Sequence, residues 1–176
     1  SMSNKISTGS YDLNKWLFGG YEKDIITMVA GPAGSGKTNF TTLASVSQAK
    51  KGNKVIFVDT EGGFSVDRVK QLVPDEWEKV LENILILKPT SFEEQKKDFL
   101  KLLKHIKEQT IGLVVIDGMT MLYRLEIGDA CEDGKRDIEK IGEINRELAG
   151  QMRILAEISR KKNIPVLITN QVYSDF

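Results

Sequence analysis

Apolar runs at residues 25–30, 55–58, 84–87, 113–116 and 166–169 punctuate the chain. They are rich in β-branched residues and alternate little with polar ones, the pattern of strands covered on both faces in a parallel sheet. Between them the apolar spacing changes to steps of three and four. One helix is predicted over residues 38–49. Ser91-Phe92-Glu93-Glu94 is a capping-box sequence that opens another, turning Phe99, Leu102, Leu103 and Ile106 inward. The longest helical pattern covers residues 135–162 and carries Ile138, Ile141, Ile144, Leu148, Met152, Leu155 and Ile158 on one buried stripe. Strands alternating with helices predict an α/β three-layer core, its central sheet mostly parallel and its crossovers right-handed. Trp16 and Trp77 are expected to pack on the flanks of that sheet.

With 176 residues, 40% of them hydrophobic and 28% charged, the chain suits one domain able to bury a sizeable core. It shows no internal repeat or low-complexity linker. The chain stops soon after the last apolar run, so the domain is expected to lack its C-terminal strands, and Ser1-Met2 reads as a tag remnant. Lys and Arg total 25 and Asp and Glu total 25, a balance unlike that of a strongly basic nucleic-acid binder, although a local basic loop is compatible with it. The single cysteine, Cys131, excludes an internal disulfide and fits a reducing cytoplasmic setting as an ordinary thiol near a loop. His105 falls within a helical run and reads as structural. No apolar stretch approaches the roughly 20 residues that a membrane-spanning helix requires.

The candidate chemistry sits where the apolar runs end. Gly31-Pro32-Ala33-Gly34-Ser35-Gly36-Lys37-Thr38 follows a strand and precedes a helix, the context a phosphate-binding loop requires. Its glycines let the backbone N–H groups curl towards phosphate oxygens. Lys37 would bridge the β- and γ-phosphates, Thr38 would place its hydroxyl on Mg²⁺, and the helix N-terminus would add its dipole. Asn39, next in line, completes the phosphate-binding candidates. Asp117 closes the run Ile111-Gly112-Leu113-Val114-Val115-Ile116-Asp117, so a buried strand delivers its carboxylate to the edge where open α/β sheets bind ligands. A carboxylate there can hold Mg²⁺ through water or Thr38. Asp59-Thr60-Glu61-Gly62-Gly63 ends another strand, and Glu61 at the same edge can polarise the water that attacks a γ-phosphate.

Together these residues resemble the RecA/RadA recombinases, and in particular the short archaeal RadB paralogues. The opening Ser7-Thr8-Gly9-Ser10-Tyr11-Asp12-Leu13 with Gly19-Gly20, the segment Asp59–Phe64 with Arg68, the Asp117 strand, and Ile168-Thr169-Asn170-Gln171-Val172 each look like a family segment. The resemblance spans essentially the whole chain and implies a RecA-type P-loop core binding ATP and Mg²⁺. It implies a catalytic glutamate at Glu61, an adenine-stacking arginine at Arg68, and at Gln171 a residue linking the γ-phosphate to a DNA-binding loop. A first DNA loop would span residues 123–135, and a second would follow Phe176. Single-stranded DNA and a RadA-type recombinase or other repair protein are the implied partners, without a membrane. Two features stand apart from the full recombinases: the sequence starts almost directly at the expected core, and residues 124–133 carry four acids against one arginine. A KaiC-like regulatory ATPase without DNA contact is the alternative. A small-molecule kinase is a third reading, opposed by the scatter of Arg124, Arg136, Arg146, Arg153 and Arg160.

Overall fold

Each apolar run becomes a strand of one parallel sheet, and each end of a run becomes a loop on the same side of it. The computed structural model describes residues 4–132 and 136–172. In chain order its elements are β1 (Lys5–Ile6), α1 (Tyr11–Trp16), β2 (Tyr21–Glu22), β3 (Ile26–Gly31), α2 (Lys37–Lys50), β4 (Lys54–Asp59), α3 (Val66–Leu72), α4 (Trp77–Glu82), β5 (Ile84–Leu87), α5 (Phe92–Glu108), β6 (Ile111–Asp117), α6 (Met121–Asp129), α7 (Ile138–Lys162) and β7 (Val166–Gln171). Among the described residues the main sheet has five parallel strands in the order β3-β7-β6-β4-β5, and β1 and β2 form a small antiparallel pair.

Two cores lie on opposite faces of the sheet, as a three-layer α/β domain requires. Val55 and Phe57 of β4, Leu113 and Val115 of β6, and Leu167 of β7 join Ala44 and Ala49 of α2, Val69 of α3 and Val80 of α4. The intervening residues Ile56, Val58, Val114, Ile116, Val166 and Ile168 point the other way, to Phe99 and Leu102 of α5 and Leu155 and Ile158 of α7. Side chains alternate across a strand, so two packed faces require a continuous apolar run.

Helix boundaries follow local hydrogen bonding. Ser91 Oγ accepts the Glu94 N–H at 3.1 Å, capping α5. The Glu94 carboxylate reaches one residue beyond the usual capping-box partner, to the Thr90 N–H at 2.6 Å and hydroxyl at 2.8 Å. Those two donors hold its carboxyl below the usual value. Asp137 caps α7, and Asn163, in the left-handed region at φ 54°, ends it after Arg160, Lys161 and Lys162. Basic residues in the last turn complement the helix dipole.

Several expectations need correction. Trp16 is 78% exposed, because α1 is a six-residue helix with no buried position. Trp77 does pack against the core, with the Lys70 ammonium 4.4 Å from its ring centre. The long helix begins at Ile138, which is 79% exposed in the first turn, so the buried stripe starts at Ile141. Residues 133–135, and with them the end of the anticipated first loop, lie outside the described residues. Most of the remainder of that loop is helix α6, whose Leu122 is buried with Phe92 and Ile144. β3 also departs from the pattern: Ile26, Met28 and Ala30 lie on a face that the helices leave partly open.

Candidate nucleotide site

Gly31 to Thr38 forms the link from β3 into α2. Gly34 and Gly36 take φ of 76° and 84°, a backbone region in which glycine alone is at ease. They turn the chain so that Lys37, the first residue of α2, lies beneath the loop. Residues 32–36 are exposed, whereas Lys37 is only 6% exposed, its ammonium donating to the Pro32 carbonyl at 3.0 Å. The Ser35 N–H also reaches Pro32 O, at 3.2 Å.

The strand ends β6, β4 and β7 bring the other candidates to this loop. The Thr38 hydroxyl donates to Asp117 Oδ2 at 2.9 Å, joining residues far apart in sequence. Gln171 Nε2 donates to Glu61 Oε1 at 3.2 Å. Burial pushes the Asp117 carboxyl above its usual value, against the hydrogen bonds from Thr169 and Thr38, with nearby Asp59 adding to the rise and Lys37 opposing it. Burial likewise raises Glu61, reinforced by Asp117 and Asp59 and opposed by Lys37 and Gln171. The site thus gathers acidic groups around one buried ammonium, an arrangement that favours bound cations.

Arg68 is held by its own helix. Ser65 caps α3 by accepting the Arg68 N–H at 3.2 Å. The exposed guanidinium then donates to Asn39 Oδ1 at 3.2 Å and to Gln71 Oε1 at 3.4 Å. Arg68 and Asn39 therefore meet beside the first turn of α2.

Four further residues shape the site without having been singled out for it. Asp59 accepts the N–H groups of Gly62, Gly63 and Phe64 at 2.9, 3.2 and 3.0 Å, curling the segment that presents Glu61. Thr60 donates to the carbonyls of Asp117 and Gly118, tying β4 to β6. Gly118, at φ 87°, leaves room for Glu61: a Cβ there would meet Thr60 Oγ1 at 2.3 Å and Glu61 Cγ at 2.7 Å. Thr169 contacts both Asp117 and Gly118. The one sequence cue for these contacts was a run of polar and glycine residues just past two strands, which ordinary turns share.

Donor chemistry fits Mg²⁺. Mg²⁺ takes few protein ligands, commonly one or two carboxylates with substrate phosphates and water. Asp117 and the Thr38 hydroxyl offer such a pair, and no group of three or more His, Cys, Asp or Glu residues suited to an all-protein metal cage occurs among the described residues. A phosphate loop entering α2, a carboxylate at the end of β6 and a second carboxylate bridged to β7 define the class: a RecA-type P-loop core.

The Rad51 family profile matches residues 2–176. The DNA repair and recombination protein RadB of Methanobrevibacter smithii is 39% identical over 99% of this chain and 70% of its own length. RadB of Methanosphaera stadtmanae is 40% identical over the whole chain and 71% of its own length. RadB of Methanococcus maripaludis strain C7 is 41% identical over 91% of this chain and 70% of its own length. The chain belongs to the Rad51 family.

Proposed function

We propose that this chain is the ATP-binding core of a RecA-fold recombinase paralogue that assists homologous recombination and DNA repair. One observation carries the reading: Thr38 meets Asp117 and Gln171 meets Glu61 at one sheet edge, directly beside the phosphate loop. The similar RadB proteins are named for DNA repair and recombination, which supports the biological setting.

In this reading the loop's backbone N–H groups and the N-terminus of α2 receive the phosphates. Lys37 leaves Pro32 O to contact the β- and γ-phosphates, while Asn39 and Arg68 flank the nucleotide, with Arg68 against adenine. Thr38 and Asp117 would hold Mg²⁺, which when bound would neutralise charge on the phosphates. Glu61 orients the attacking water, and Gln171 connects the γ-phosphate to the chain beyond β7. Hydrolysis is slow, since the charge on the γ-phosphate calls for cationic groups beyond the single Lys37. Single-stranded DNA and a RadA-type recombinase or another repair protein are the partners. No helix of the described residues is long and apolar enough to cross a membrane.

The acids of α6 and its end, Glu126, Asp129 and Glu132, favour the second reading, a KaiC-like regulatory ATPase without DNA contact, whereas the Rad51 family match favours the recombinase paralogue. Fluorescence anisotropy with single-stranded DNA, with and without a non-hydrolysable ATP analogue and across a salt series, separates them. Salt-sensitive binding is expected; its absence under every condition would leave the regulatory ATPase. Within the site, Lys37→Ala should abolish nucleotide binding, and Glu61→Gln should retain binding but lose turnover. Hydrolysis by Glu61→Gln at the native rate would remove Glu61 from its assigned role.

A further inference from the structure

Thr169 is wholly buried, and its hydroxyl lies between two groups at the end of β6. It accepts the Gly118 N–H at 2.8 Å and donates to Asp117 Oδ1 at 2.6 Å. The first bond orients the second. A backbone N–H can only donate and an ionised carboxylate can only accept, so the hydroxyl proton points at Oδ1. That leaves Oδ2 as the oxygen of Asp117 turned towards the phosphate loop, where it meets Thr38 at 2.9 Å. Two positions further along β7, on the same side of the strand, Gln171 holds Glu61. One strand therefore grips both carboxylates of the site.

We propose that Thr169 is a positioning residue for the Mg²⁺-nucleotide site: it fixes the rotation of the Asp117 carboxylate so that one oxygen faces the metal. It also ties that carboxylate to the strand that holds Glu61. The inference rests on the ATP-site reading above. A threonine serving only the interior would satisfy the Gly118 N–H and leave metal affinity untouched. A group that orients a metal-binding carboxylate acts on metal affinity specifically, since partners behind the ligands set how they are presented.

The test compares native protein with Thr169→Val, which keeps the shape and removes both bonds, and Thr169→Ser, which keeps the hydroxyl. Binding of a fluorescent ATP analogue is measured in EDTA and then across a Mg²⁺ titration. For Thr169→Val the Mg²⁺ concentration giving half-maximal effect should rise about 10- to 100-fold, with affinity in EDTA changed by less than about twofold. Thr169→Ser should stay close to native. A native Mg²⁺ requirement in Thr169→Val, or an equal loss in EDTA, overturns the proposal. If the valine protein does not fold, Thr169→Cys replaces it, because a thiol is a weak donor of similar size; the same shift is expected, and a native requirement overturns the proposal. Native protein that bound no nucleotide would instead sink the ATP-site reading, and this inference with it.

Discussion

β6 and β3 both carry apolar runs into the candidate nucleotide site, but their surroundings differ. β6 lies between β4 and β7, and its residues alternate between two cores, Leu113 and Val115 on one side, Val114 and Ile116 on the other. β3 is at the edge of the described sheet, paired only with β7, and Met28 is 58% exposed. The buried strand ends in a carboxylate whose burial raises its affinity for a proton; the edge strand ends in a loop open to solvent. A rigid, dry support suits a group that must hold one orientation, and an open loop suits a group that must admit a ligand.

The sharpest way to break this contrast is a cavity in β6. Leu113→Ala should cost about 2–5 kcal/mol in urea denaturation, because a wholly buried side chain touching the α2-side core is lost. A much smaller loss would mean that β6 is not the rigid element. Next comes the helix that covers the other face of β6. Ser91→Ala removes the cap of α5 and should lower stability by about 1 kcal/mol, measured the same way.

Asp98, on the same helix, gives a smaller effect that depends on pH. Burial holds its carboxyl above the usual value, with Lys101, 3.6 Å away, opposing. The folded state then binds this proton more tightly than the unfolded chain does. Stability contributed by the protonated group is therefore lost as pH rises from the ordinary carboxylate value through the raised one. Asp98→Asn should flatten that part of the stability profile and slightly stabilise the protein at neutral pH. A loss at neutral pH would show that the contact with Lys101 outweighs burial. Last is the edge strand: Met28→Ala should change stability by no more than about 0.5 kcal/mol, since little apolar surface is removed from water there. A cost matching that of Leu113→Ala would erase the distinction between the strands.

Much of the fold was legible because strand burial and helix capping write themselves into local pattern. The five apolar runs became the five strands of the main sheet within about two residues, and Ser91 began its helix as expected. Elements with short or mixed patterns were not visible: α1, α3, α4 and α6 are short, and β1 and β2 have two residues each. Leu122 shows why. It is the one buried side chain of α6, and Met121, Tyr123 and Ile127 are only partly covered against the same cluster, too few and too bunched to set a clear period. Among the candidate site residues, Lys37 and Thr38 were marked by the loop motif of residues 31–38, Glu61 and Asp117 by the ends of apolar runs, and Gln171 by the family resemblance. Asp59 and Thr60 could not be named, because their roles lie in hydrogen bonds to backbone groups that are close only after folding.

By itself, the sequence determined the phosphate loop, the strand–helix alternation and which residues stand at strand ends, because periodicity and loop chemistry are local. Only the tertiary structure decided that β7 lies between β3 and β6, which places Thr169 and Gln171 against carboxylates from two other strands. Strand order depends on how crossover helices pack across the whole sheet, and no single segment carries that information.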